Sequence, residues 1–142
     1  MRTVAFVLIG ASLMAVAASR AETWPLTGRF LGSGRACYGT LAVRTKTISW
    51  LTSFSQCKSI PYELIERNQQ SGELRVTYRL KLGTDSCRYA VLSLTHTGSA
   101  KDIGWGVTGY GSEHSYQADK ASGYSAKNED MMSCYLTRDS GK

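Results

Sequence analysis

The stretch ELRVTYRLKL, residues 73–82, alternates without a break. Leu74, Val76, Tyr78, Leu80 and Leu82 fall on one side, and Arg75, Thr77, Arg79 and Lys81 on the other. Successive side chains of a pleated strand point to opposite faces, so this period of two predicts a strand with one buried and one wet face. A sheet with a wet face is antiparallel as a rule, because parallel crossovers cover both faces. Outward from this segment the pattern recurs in shorter pieces separated by Gly, Ser, Asn and Asp. Strands are expected at 26–31, 36–44, 47–54, 62–67, 73–82, 87–95, 103–110 and 131–137. Eight short strands at this spacing predict an all-β domain, a small antiparallel barrel or sandwich.

No segment places apolar residues at i, i+3, i+4 and i+7 over three turns, so no long helix is expected. One turn could open at 59–65, where Pro61 lies near the start, and another within 119–130. The run GWGVTGYG, residues 104–111, has no Lys-Ser/Thr and no helix pattern behind it, so it does not read as a phosphate loop. Its glycines predict a bent or bulged strand of the kind that barrel closure needs, or a spot where another backbone approaches closely. Trp105 and Tyr110 are its candidate ligand contacts. The chain has 142 residues, 42% hydrophobic and 20% charged, which argues for one domain and against disorder.

The first 21 residues read as a signal peptide. Arg2 is followed by an apolar run over 4–18, and Ser19 and Ala21 are small residues at the positions a signal peptidase reads. The run is shorter than the ~20 residues of a spanning helix. Residues 22–142 are therefore expected to work in the periplasm or outside the cell, with no membrane span. Cleavage would remove two of the 17 basic residues and none of the 11 acidic ones. It would leave all four cysteines, Cys37, Cys57, Cys87 and Cys134. An even count in an exported chain implies two disulfides. If a turn near Thr47 joins 36–44 to 47–54, Cys37 and Cys57 lie ten residues either side and face one another. The expected bridges are then Cys37–Cys57 and Cys87–Cys134.

Catalytic patterns are sparse. There is no G-x-S-x-G elbow, and the two histidines, His96 and His114, lie at a strand end and in an expected loop. Glu63 with Glu66, and Glu129 with Asp130, are neighbours in charged stretches rather than residues converging on a cleft. No metal-ligand spacing occurs. The expectation is a protein that is not an enzyme and uses no cofactor or metal.

Charge and aromatic content carry the binding candidates. Between Thr23 and Tyr62 the chain has Arg29, Arg35, Arg44, Lys46 and Lys58 and no acidic residue. Arg75 and Arg79 add to a possible basic face, which would favour an acidic protein or small ligand. Export argues against nucleic acid. Of eight tyrosines, Tyr110, Tyr116, Tyr124 and Tyr135 fall in the last third, beside Gly and Ser, a composition common on recognition surfaces. Residues 121–124, Ala-Ser-Gly-Tyr, resemble the Ser-Gly-containing loop of the periplasmic inhibitors of c-type lysozyme. That family also consists of small disulfide-bearing barrels. The likeness covers these four residues and implies an inhibitor of a foreign hydrolase that presents a loop within 111–130. The expected function is a non-enzymatic binding protein acting through loops or a basic face, such an inhibitor being one form of it. A lipocalin-like carrier of a small apolar or acidic lipid ligand is the alternative.

Overall fold

The computed structural model describes residues 25–81, 86–98 and 104–141. The signal-peptide reading of 1–21 lies outside these residues, as do Leu82, Ile103 and the turn at 83–85. Eight strands form: β1 (Gly28–Gly32), β2 (Gly39–Val43), β3 (Thr47–Leu51), β4 (Gln56–Gln70), β5 (Glu73–Leu80), β6 (Val91–His96), β7 (Gly104–Tyr110) and β8 (Met131–Arg138). Each pairs antiparallel with the next, and β1 pairs with β8. The result is a closed barrel in simple chain order. Closure removes the free sheet edges that an open sandwich would leave.

The alternation of residues 73–82 is borne out where described except at Thr77. That residue is expected on the wet face but is buried, its hydroxyl donating to the Ser93 hydroxyl at 3.0 Å. Leu74, Val76, Tyr78 and Leu80 are buried in the core, while Arg75 and Arg79 point outward. The inside is filled by large side chains. Phe30 meets Trp105 edge-on at 5.3 Å between ring centroids, Trp50 packs on Tyr89 at 5.0 Å, and Tyr62 meets Tyr78 at 4.7 Å. His96 stacks on Trp105 at 4.5 Å, with its Nδ1 2.9 Å from the Gly104 carbonyl oxygen.

β4 is longer than expected. Residues 56–61 pair with β3 and residues 62–70 with β5, so one strand takes in the segment read as a helical turn and the strand after it. Bulges between Ile48 and Trp50, and between Leu64 and Glu66, bend it from one neighbour to the other. β7 pairs with β6 and β8 without a register shift, so its glycines mark no bulge; they leave room for packed side chains. A Cβ on Gly104 would fall within 2.2 Å of the Tyr135 ring, and one on Gly109 would meet Tyr89 and Trp50 at 2.7–2.8 Å.

The expected disulfides are corrected. The bridges are Cys37–Cys134 and Cys57–Cys87. Pairs such as Val43↔Ile48 and Leu41↔Trp50 centre the β2–β3 turn on Thr45 and Lys46, not on Thr47. β3 then ends at Leu51, and the chain reverses before Cys57, which pairs back on Trp50 from β4. Cys37 therefore has no Cys57 opposite it. It sits beside β8, because β1 and β8 close the barrel. Two disulfides are consistent with an oxidising compartment. Among the described residues no helix is long and apolar enough to cross a membrane.

Among the described residues one helix, α1 (Glu113–Ala121), lies across the outside of the barrel. Ser112 caps it by accepting the Ser115 amide at 3.1 Å, and Glu113 in the first turn and Lys120 in the last suit the helix dipole. Only Ser115, Tyr116 and Asp119 are buried. A face this narrow and polar gives no apolar period, which is why the segment reads as loop.

Candidate functional site

Three groupings of polar and aromatic side chains stand on the barrel wall, and the sequence candidates divide among them. The first is a brace under α1. Tyr110 lies buried with Val91 and Tyr116, and its hydroxyl donates to Asp119 at 2.7 Å. Asp119 is itself buried and accepts the Ala126 amide at 2.9 Å, which ties the segment after the helix to the barrel. Glu66 of β4 accepts from Tyr116, from Lys120 at 3.1 Å and from Tyr124 at 3.2 Å. Burial pushes the Tyr116 hydroxyl upward first, and its bond to Glu66 adds to the shift. Tyr110 and Tyr116 are thus structural, not exposed ligand contacts. Trp105 is a core residue too.

Burial tends to raise the Glu66 carboxyl, but the bonds from Tyr116, Lys120 and Tyr124, with the Lys120 charge, outweigh it and hold the group below its ordinary 4.5. A carboxyl lowered in the folded state adds stability that is complete above the unfolded pKa and is lost as pH falls through the folded one. Glu66→Gln should therefore cost about 1–2 kcal/mol near neutrality. The loss should shrink on acidification below 4.5, measured by urea denaturation across pH. An equal loss at both extremes would remove Glu66 from the acid limb.

The second grouping is the outward face of β5. Arg79 bonds Glu113 through Nε at 2.9 Å and Glu63 through Nη1 at 3.0 Å. Arg75 bonds Glu73 at 3.1 Å, and its guanidinium carbon lies 3.5 Å from the centre of the Tyr124 ring. The proposed continuous basic face is therefore divided, because Arg75 and Arg79 each have a carboxylate neighbour.

The third is the β2–β3 turn. Arg44, Thr45 and Lys46 project at its tip and are exposed. The Arg44 amide donates to the Thr47 carbonyl at 2.9 Å. From β4 the Tyr62 hydroxyl reaches the carbonyls of Arg44 and Thr45, at 2.8 and 2.9 Å. One phenol donates to one of these at a time, so the proton is shared between two turn carbonyls. Tyr62 is anchored edge-on against Tyr78 in the barrel. Two cations are thereby held on a short, braced turn, and among the described residues neither forms an ion pair. The charge run was legible in the sequence; the brace was not, since Tyr62 is 17 and 18 residues away.

In the Ala-Ser-Gly-Tyr loop Ala121, Ser122 and Gly123 are exposed and Tyr124 is half-buried. Ser122 donates to the Asp119 carbonyl at 2.7 Å and accepts the Ala126 amide at 3.1 Å. Its hydroxyl is consumed within the loop, and Tyr124 packs against the barrel. Compared with protein-family models, curated proteins and solved structures, the chain matches none.

Proposed function

We propose that this chain is an exported, non-enzymatic binding protein whose Arg44–Lys46 turn enters an acidic cleft of a partner protein, a foreign glycoside hydrolase being the form of partner that fits. The observation carrying this reading is the Tyr62 brace. A turn already fixed loses little freedom on docking, and preorganisation of this kind is what raises the affinity of inhibitor loops. Two cations on one tip complement the pair of carboxylates that flanks the scissile bond in most glycoside hydrolases. Arg29 lies near this end of the barrel, opposite Ala42, but has Asp139 at 3.9 Å, so the two turn cations carry the reading themselves. A carrier reading has less support, because interior positions are taken up by Phe30, Trp50, Tyr78 and Trp105.

The test is inhibition of a c-type lysozyme on cell-wall substrate, with the disulfide-intact protein added in increasing amounts. Inhibition at micromolar concentration or below is expected. Arg44→Glu with Lys46→Glu should weaken it by about 100-fold or more, since like charges would then face one another. Raising the salt should weaken the unaltered protein as well. Undiminished inhibition by the double variant would overturn the role of the turn. No inhibition at all would remove this enzyme class as the partner.

A further inference from the structure

A cleft of about 440 Å³ opens where the tip of the β4–β5 hairpin meets the segment after α1. Its walls include Asn68, Gln70, Ser71, Glu73, Arg75 and Tyr124. It shares no residue with the cationic turn. We propose that this cleft is a binding site for a neutral oligosaccharide.

Size comes first: the volume lies within the range of small-ligand sites. Chemistry then narrows the class. Asn68 and Gln70 bring amides to the wall and Ser71 and Thr97 bring hydroxyls, and an amide or hydroxyl side chain can both donate and accept. A ligand whose groups also do both, as sugar hydroxyls do, can satisfy them. Among the described residues that line the cleft none has a purely aliphatic side chain. The cleft's apolar surface comes from Tyr124 and the carbon stems of polar residues, the mixed surface that the C–H and O–H groups of a sugar ring match. The charge is balanced locally, because Arg75 bonds Glu73 at 3.1 Å. An anion would gain from the guanidinium and lose against the carboxylate. A neutral polar ligand meets both as a donor and acceptor side by side.

The walls are also set before any ligand arrives. Ser71 and Gly72 have φ of 52° and 81°, the left-handed pair that closes a two-residue hairpin with the twist of its strands. Tyr124 has φ of 63°, an uncommon conformation for so bulky a residue. It is held there by its amide, which donates to the Asp119 carbonyl at 2.8 Å, and by its hydroxyl on Glu66. This conformation keeps the Tyr124 ring under Arg75, and the Ser93 hydroxyl lies 3.5 Å from the same guanidinium. Strained residues of this sort concentrate at ligand clamps.

The experiment follows amide signals of ¹⁵N-labelled, disulfide-intact protein during titration with cellotriose, maltotriose and the β-1,4-linked N-acetylglucosamine trimer. Glucuronate serves as an anionic control. At least one trisaccharide should move the backbone signals of Ser71, Gly72 and Tyr124 and the side-chain amides of Asn68 and Gln70. Asn68→Ala with Gln70→Ala, both away from the core, should then weaken that binding by about tenfold with the melting temperature unchanged. Three results would each overturn the proposal: no movement at these residues with any trisaccharide, movement with glucuronate alone, or undiminished binding by the double variant. Lysozyme inhibition reads the other site, so either idea can fail without the other.

Discussion

Replacing Cys37 and Cys134 together with alanine should lower the unfolding free energy by about 4–5 kcal/mol, against about 3.5 for Cys57 with Cys87. The difference comes from the unfolded chain. The first bridge links residues 97 apart and the second residues 30 apart. The loop-closure entropy a crosslink removes grows with the logarithm of that separation. Position adds a second reason. β1 meets β8 through only three residue pairs, Phe30↔Arg138, Leu31↔Thr137 and Gly32↔Leu136, whereas β7 and β8 share seven. This is the seam of the barrel, and Cys37–Cys134 pins it from the β1–β2 connection. Amide hydrogen exchange in the double variant should accelerate first in β1 and in the end of β8 that faces it. Urea denaturation of both double variants gives the comparison. A larger loss from the Cys57–Cys87 pair would show that the seam is held by its side chains rather than by the bridge.

The seam also marks how far the sequence could be read. Each of the eight expected strands has an observed counterpart, because inward residues such as Leu74, Val76 and Tyr78 must alternate with outward ones whatever the topology. The pairing of the cysteines depends on register. Register in the β2–β3 hairpin is set by a turn centred on Thr45 and Lys46, and a shift of the assumed centre to Thr47 moves every partner. α1 escaped notice for a different reason: its buried side is two polar residues and one tyrosine, bound by hydrogen bonds rather than by area. Its usable signals were the Ser112 cap, Lys120 in the last turn and Gly123 just beyond. Of the candidate binding residues, Tyr124 with Arg75, and Arg44 with Lys46, lie at surface features. Trp105, Tyr110 and Tyr116 are spent on packing, because aromatic residues serve a sheet's interior as readily as a binding surface. Nothing local to Arg44 tells that Tyr62 will hold its carbonyl.

Trp50→Ala should cost about 3–5 kcal/mol, and its effect should not add to that of Gly109→Ala. Trp50 is 1% exposed, and its ring lies against Tyr89. Removing it leaves a cavity that neighbours fixed by strand pairing on both sides can fill only in part. Gly109→Ala acts in the opposite sense. Its new methyl would sit 2.8 Å from the Trp50 ring and 2.7 Å from Tyr89, so the single change should cost about 1–3 kcal/mol through overpacking. In the Trp50→Ala background one of those two clashes is gone, and the methyl enters space that is otherwise empty. The double variant should therefore be more stable than the sum of the single losses predicts, by at least about 1 kcal/mol. A double-mutant cycle in urea measures this, and strict additivity would mean that the glycine is not there to admit the indole ring. The same variant bears on the carrier reading. If the barrel is full because Trp50 fills it, indole added to Trp50→Ala should raise its melting temperature by binding in the vacated space, while leaving the unaltered protein unmoved. A comparable rise in the unaltered protein would mean that its interior already takes up apolar ligands, and the carrier reading would then displace the braced turn as the better account.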